Sequence, residues 1–366
     1  MFEFLIKPKI LQFENLSEFS ERFQMNQTDL VITDKVFSRL VFPCDVIFQD
    51  DYGNGEPTDE KIDRILVLAN KKEYKRILAI GGGTAIDIAK LLVDPAKTSC
   101  DALYSMPIEK QRDLIAIPTT CGTGSEVTCI SIVSFIQKEV KIGLVDPALY
   151  PDYAVLIPEL LVGLPYPVFI TSSIDALIHA VESFLSPKAT PFSKMYSQKA
   201  INMILSGFLK LKAGEVPVRF EEYLLASTLA GIAFSNAGCG LIHAMSYPIS
   251  GKYHYSHGAA NAKVFMAVME YYHSAGDLSP LFGIMKQSFG EKDCMEALKD
   301  LVQRLLPPNS LAQKGMDAAV CFEFAKAVMD TQKRLLSNAF VPVDHEIIQK
   351  IYQNILEGDK CWRSEN

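Results

Sequence analysis

Two apolar, strand-length runs in this chain each lead directly into a loop of glycines and hydroxyl side chains, and that pairing limits the fold more than any other feature. The first is Arg76-Ile77-Leu78-Ala79-Ile80, followed by Gly81-Gly82-Gly83-Thr84 and a helical pattern from Ala85 to Val93. The second is Leu114-Ile115-Ala116-Ile117, followed by Pro118-Thr119-Thr120-Cys121-Gly122-Thr123-Gly124-Ser125-Glu126-Val127-Thr128. Continuous apolar strands are buried on both faces, as in a mostly parallel sheet covered by helices. Glycines let a phosphate approach the backbone, and a helix N-terminus offers unpaired N–H groups and the positive end of its dipole. Open α/β sheets take ligands at the carboxyl ends of their strands. Two such loops in one sheet suit a dinucleotide better than a lone phosphate, although neither has the Gly-x-Gly-x-x-Gly spacing.

The surrounding pattern agrees. Leu30-Val31-Ile32-Thr33 and Val46-Ile47-Phe48 read as further strands, and Glu60 to Asn70 as a helix. Asp34, at the end of the Leu30–Thr33 run, is placed to accept hydrogen bonds from ribose hydroxyls and to repel a 2′-phosphate, which favours NAD over NADP. Ser131 to Phe135 and Lys141 to Val145 flank the polar tip Gln137-Lys138-Glu139 and read as a β-hairpin attached to that sheet. Prolines 147, 151, 158, 165 and 167 then punctuate the chain as a boundary. Beyond them helical periodicity dominates, over Ser172 to Phe184, Lys194 to Leu211, Phe220 to Phe234 and Ala259 to Tyr272. The expectation is a Rossmann-like α/β domain over 1–164 and an all-α domain over 165–366.

The second half contains a metal-like constellation. Asp175 and His179 are four apart in a helical pattern, so both lie on one face. His243 and His257 flank a short stretch containing Pro248 and Gly251, read as a connection between two helices. The chain has only six histidines, and three of them gather here with a carboxylate in an otherwise apolar helix. One Asp and three imidazoles suit zinc or ferrous iron, and spacing does not choose between them.

Taken in order, these motifs resemble the iron-containing (group III) alcohol dehydrogenases. The resemblance runs through Thr33-Asp34, Gly81–Lys90, Pro118–Thr128, Asp175-Ala176-Leu177-Ile178-His179, His243 and His257-Gly258-x-x-Asn261-Ala262. Gly163-Leu164-Pro165-Tyr166, Thr171-Ser172-Ser173 and Ser246-Tyr247-Pro248-Ile249 are similar to a branch that interconverts a short hydroxy acid and its semialdehyde. The resemblance implies the dehydroquinate-synthase-like fold, NAD and one divalent metal, Fe2+ ahead of Zn2+, held by Asp175, His179, His243 and His257. It implies cofactor contacts from Asp34, Gly82, Gly83, Thr84, Asp87, Thr119, Thr120, Thr128 and Lys141. It also implies a homodimer or larger homo-oligomer. Many relatives carry a proton-relaying histidine where this chain has Tyr247, which leaves Tyr247, His254 or ordered water to carry the proton, with His257 at the centre of the chemistry.

The expected reaction is hydride transfer between NAD and a small alcohol or aldehyde that bears a carboxylate, with the metal as Lewis acid. Alternatives are a general primary-alcohol or 1,3-propanediol-type dehydrogenase, an NAD-using lyase of the dehydroquinate-synthase kind, and a nucleotide-binding protein without turnover. The lyase would need several Lys and Arg residues near the ligands, and the stretch from Asp175 to Asn261 is poor in them.

Composition narrows the partners. A net charge of −7 and a pI near 5.5 leave no basic face for a nucleic acid. No apolar stretch is read as approaching the roughly 18–20 residues of a membrane span, and Glu3 interrupts the only apolar run at the start, which argues against a signal peptide. Eight dispersed cysteines without a Cys-x-x-Cys pair fit free thiols and the cytoplasm. Cys121, inside the second loop, reads as a small buried residue rather than an oxidation-sensitive thiol.

Overall fold

The computed structural model describes residues 3–138, 140–306 and 310–361. The chain forms two compact units. One comprises residues 5–164 together with 219–231, and the other 1–4, 165–218 and 232–366. Residues 219–231 therefore group with the α/β unit rather than with the helical one.

In the α/β unit, six strands form one sheet: β1 (Lys9–Gln12), β2 (Asp29–Thr33), β3 (Asp45–Phe48), β4 (Arg76–Gly81), β5 (Asp113–Pro118) and β8 (Tyr153–Leu156). Their order is β1-β8-β5-β4-β2-β3, and each neighbouring pair runs parallel. The central strands are buried on both faces because successive side chains alternate. Leu30, Ile32, Ile77, Ala79, Leu114 and Ala116 pack with α2 (Asp59–Ala69), α3 (Gly83–Leu91) and α4 (Cys100–Ser105). Val31, Leu78, Ile80, Ile115 and Ile117 face the other way, toward Phe19 of α1 (Leu16–Phe23). Thr33 is level with Ile80, and Ile80 with Ile117. The carboxyl ends of β2, β4 and β5 thus present Asp34, the Gly82-Gly83 turn and Thr119 along one edge.

The hairpin differs from expectation. β6 (Ile130–Phe135) and β7 (Val140–Val145) form a separate two-stranded antiparallel sheet. The tip residue Glu139 lies outside the described residues. Contacts with the helices hold the hairpin in place, among them the Ile132 N–H donating to Asp87 Oδ2 at 3.1 Å and the Phe135 ring meeting Tyr104 edge-on at 5.0 Å.

The other unit is built of helices: α5 (Tyr166–Leu185), α6 (Pro191–Lys210), α8 (Leu241–Tyr253), α9 (His257–Ala275), α10 (Ser279–Phe289), α11 (Cys294–Leu305), α12 (Ala318–Thr331), α13 (Lys333–Leu336) and α14 (His345–Cys361). α7 (Glu221–Ala237) begins in the α/β unit and ends in the helical one. A capping box starts α6, with Thr190 and Ser193 each accepting from the other's backbone N–H. The stretch between His243 and His257, expected as a connection, is instead mostly the helix α8, with Pro248 inside it.

α5 also corrects the membrane reading. It spans 20 residues with a mean hydropathy of 1.4 over its most apolar window, enough in length and composition to cross a membrane. That window is 83% buried inside the protein, and the helix carries Asp175, His179 and Glu182, so it is a core helix.

Candidate metal centre and nucleotide-binding edge

Three helices of one unit bring the four expected metal residues together. α5 supplies Asp175 and His179 one turn apart, α8 supplies His243 in its first turn, and His257 opens α9. One donor atom from each lies within 4.8 Å of the others. His243 Nε2 stands 3.0 Å from His179 Nε2, and Asp175 Oδ1 is 3.9 Å from both His243 Nε2 and His257 Nε2. Donors about 2.1 Å from a tetrahedral ion lie roughly 3.4 Å apart, so these separations suit one first-row divalent cation. Asp175, His179 and His243 are buried, and the His257 side chain is 24% exposed. The His179 ring also stacks on Phe234 at 4.3 Å. Burial acts to raise the Asp175 pKa, but His179, His257 and His243 outweigh it and hold the carboxylate below its ordinary value. The residues present therefore fit a divalent metal: a buried carboxylate kept ionised, facing three imidazoles.

Two further side chains brace this cluster. Glu182 receives the His243 ring at 2.6 Å from Nδ1, together with the backbone N–H groups of Gly240 and Ile242. Asn261 Nδ2 donates to Asp175 Oδ1 at 2.6 Å and lies 3.2 Å from His257 Nε2. The sequence reading gave Glu182 no role, although Asp175, His179 and Glu182 recur on one face of α5 at spacings of four and three. Asn261 was noticed only within a motif.

Of the expected proton-handling residues, Tyr247 is half-buried with its ring 6.3 Å from that of His257. His254 is exposed at the left-handed residue that ends α8, and is not among the side chains grouped at the centre.

In the other unit, the expected cofactor residues divide into two sets. Gly82 caps α3, and Gly83 and Thr84 form its first turn. A Cβ on Gly83 would stand 2.7 Å from Thr123 Cγ2, and one on Gly82 would be 3.4 Å from Thr120 Cγ2, so the two loops adjoin. Thr119 donates its N–H to Gly81 O at 3.1 Å. Asp34 accepts from Gln49 at 2.5 Å and from the backbone of Gly82. Burial pushes its pKa up, more than those hydrogen bonds lower it.

Asp87 and Thr128 turn inward. Asp87 accepts from the Ser125 hydroxyl at 2.5 Å and from Ile132 N–H, and Thr128 receives the fully buried Lys90 at 3.0 Å. Lys90 also reaches Ser125 Oγ and Ile130 O, each at 2.6 Å. Lys141 pairs with Glu56. Cys121 is buried, and burial pushes its thiol pKa up, which keeps it from ionising. Gln49 has no signal in the sequence, and Lys90 and Ser125 stand there only as members of motifs; each takes its part through long-range contact.

Comparison with known proteins decides the family. Residues 12–158 match the family model for iron-containing alcohol dehydrogenase, and residues 169–356 match that for the C-terminal part of the Fe-containing alcohol dehydrogenase family. The chain belongs to the iron-containing alcohol dehydrogenases. This dehydrogenase is 38% identical to 4-hydroxybutyrate dehydrogenase of Clostridium kluyveri, over 96% of its own length and 98% of that protein. It is 31% identical to long-chain-alcohol dehydrogenase 1 of Geobacillus thermodenitrificans, over 83% of its length and 80% of that protein. Among solved structures it is similar to an iron-containing alcohol dehydrogenase from Thermococcus thioreducens, with a TM-score of 0.81 and 26% identity, covering 97% of this chain and 100% of that one. It is thus a metal-containing alcohol dehydrogenase, with an α/β unit followed by a helical one. The lyase and non-catalytic alternatives fall away.

Proposed function

We propose that this dehydrogenase interconverts 4-hydroxybutyrate and succinate semialdehyde with NAD. The observation that carries this reading is the 38% identity to the clostridial 4-hydroxybutyrate dehydrogenase, sustained over nearly the whole of both chains. When bound, a divalent ion, Fe2+ ahead of Zn2+, supplies Lewis acidity toward the alcohol or carbonyl oxygen, and the nicotinamide ring exchanges the hydride. Asp175, His179, His243 and His257 would hold the ion. The single carboxylate, Asp175, would offset half of the ion's charge, and the three neutral imidazoles would leave the rest in place.

In the α/β unit, the Gly83 and Thr84 N–H groups at the start of α3 would bind the pyrophosphate, and Gly82, whose own N–H is given to Asp34, would let it approach the backbone. Thr119 and Thr120 would line the adjoining loop. Asp34 would accept from the ribose hydroxyls; its charge, with Asp50 beside it, disfavours a 2′-phosphate. Asp87, Thr128 and Lys141 would support the groove from behind through their own partners. The Tyr247 hydroxyl would hold and pass on the proton released from the alcohol, because its ring lies against His257 while His254 sits exposed at a helix end. We also read the enzyme as a cytoplasmic homo-oligomer; its seven described free cysteines suit a reducing compartment.

The test is NADH oxidation with succinate semialdehyde, using protein loaded anaerobically with ferrous iron or with zinc. Rates well above those with propanal or butanal are expected. Equal or faster turnover of the uncharged aldehydes would replace this reading with a general primary-alcohol or 1,3-propanediol-type dehydrogenase. Light scattering on a sizing column tests the oligomer.

A further inference from the structure

His243 has two ring nitrogens, and only one faces the other three metal residues. Its Nε2 lies 3.0 Å from His179 Nε2 and 3.9 Å from Asp175 Oδ1. Its Nδ1 faces the opposite way and meets Glu182 Oε2 at 2.6 Å. A neutral imidazole carries one proton, and whichever nitrogen holds it cannot bind a metal. The groups that hydrogen-bond this ring, Glu182 at Nδ1 and the Cys239 side chain beside it, therefore bear on whether Nε2 is a bare lone pair or an N–H pointing into the centre.

Glu182 is itself fixed. Its carboxylate is 3% exposed, Oε1 accepts from the Ile242 N–H at 2.6 Å, and Oε2 accepts from the Gly240 N–H at 3.0 Å as well as facing Nδ1. Those two donors belong to the first turn and cap of α8, the helix whose third residue is His243. The backbone that positions the histidine and the ring that ligates thus converge on one carboxylate. Two backbone N–H groups already donate to this carboxylate, and Nδ1 meets it at 2.6 Å as a third partner, so the geometry points to Nδ1 as the nitrogen that donates.

From this geometry we infer that Glu182 is a positioning residue of the metal centre, one that holds His243 in its Nδ1–H tautomer and presents Nε2 as the metal ligand. The inference rests on the metal reading above and adds a residue that touches neither metal nor substrate. A carboxylate behind a ligating histidine also raises the basicity of the ring, and removing such partners lowers metal affinity by about 10–100-fold. Glutamine at this position would offer one oxygen to three donors, leaving an N–H group facing an N–H group or forcing the imidazole proton onto Nε2.

The experiment compares wild type and Glu182→Gln by three readouts: cobalt(II) and zinc affinity by chelator competition, the absorption bands of bound cobalt, and the imidazole 15N spectrum of the zinc-loaded protein. In wild type, His243 is expected to show a strongly hydrogen-bonded Nδ1–H and a metal-bound Nε2. In Glu182→Gln, affinity should fall ten- to a hundredfold, the cobalt bands should shift, and the Nδ1–H resonance should move or vanish. Thermal unfolding of the two metal-free forms separates this effect from a general loss of structure. Unchanged affinity with an unchanged His243 spectrum would overturn the proposal. If Glu182→Gln does not fold, the wild-type spectrum alone is decisive, since a His243 protonated on Nε2 contradicts the proposal. A wild-type protein that binds neither cobalt nor zinc would instead overturn the metal reading, and this inference with it.

Discussion

Gly258 lies so close to Thr171 that a Cβ on it would stand 2.5 Å from the Thr171 carbonyl oxygen and 3.3 Å from Asp175 Cβ. The contact lets the start of α9 lie directly against α5, and it sets His257 beside Asp175. Gly258→Ala must push the two helices apart. Overpacking of this kind costs about 1–3 kcal/mol. The larger expected effect is on metal affinity, because the His257 ligand atom moves with the helix. Chelator competition and thermal unfolding check both; an alanine variant with wild-type metal affinity would remove the argument.

Metal removal should destabilise the helical unit, since a ligand that binds only the folded state contributes about 2.7 kcal/mol at a hundredfold excess over its Kd. A chelator should lower Tm, and ferrous iron or zinc should restore it. His257→Ala should lose metal retention and reduce kcat by at least about a hundredfold, the scale of a misplaced reacting group. A metal-free variant with full turnover would contradict the mechanism.

Asp34 predicts a pH dependence for cofactor binding. Its pKa is raised, chiefly by burial, so the folded protein holds the proton more tightly than the unfolded chain does. The stability this contributes is present below the usual aspartate pKa and is lost as pH rises through the folded value. Ribose hydroxyls prefer the ionised acceptor, so NADH affinity should fall as pH drops through that raised value, earlier than an exposed aspartate would cause. Asp34→Ser should flatten this profile and narrow the preference for NAD over NADP. Fluorescence titrations of NADH and NADPH across pH test both, and an unaltered profile in Asp34→Ser would count against the assignment.

Tyr247→Phe tests the proton route. General acid–base groups contribute typically 10²- to 10⁴-fold, so kcat for alcohol oxidation should fall by at least about a hundredfold with metal content unchanged. If the hydroxyl relays the proton, the pH profile of kcat should change as well. A loss with no change in the pH profile would point to packing against His257 instead.

Stability of the α/β unit depends on a charged pair at the entry to the central strands. Arg76 grips the fully buried Asp29 through Nε and Nη2, both at 2.7 Å. Removing one partner of such a pair strands the other, at a cost of about 3–5 kcal/mol. Asp29→Ala should fall near the lower end, since Arg76 is partly exposed. Denaturant unfolding of the metal-free protein measures it directly.

The metal residues were legible in sequence because their chemistry is rare and local. Six histidines in 366 residues leave little room for chance, and Asp-x-x-x-His needs only helical periodicity to share a face. The nucleotide loops were legible because glycine-rich turns directly after apolar strands have a strong backbone meaning. α8 was obscured by Pro248, which reads as a stop although the helix runs through it. β1 and β8 are four residues each, and β8 lies within the proline-punctuated stretch. The hairpin was visible, but its seat was not, because the hydrogen bond from Ile132 to Asp87 joins residues 45 apart. Gly231 illustrates the same limit: a Cβ there would stand 2.8 Å from Gly124 Cα, an approach with no local signature.

Lys90 ties the two nucleotide loops into a single part. Its ammonium has three hydrogens, and Ser125, Thr128 and Ile130 supply three close acceptors at the far loop, with Asp87 of its own helix 3.4 Å away. A guanidinium, planar and larger, would not match that arrangement. Anyone reshaping this enzyme for a different nucleotide therefore has fewer independent choices than the two separate glycine-rich motifs suggest. A change in the loop after β5 is also a change in the footing of the helix after β4, and the two have to be redesigned together.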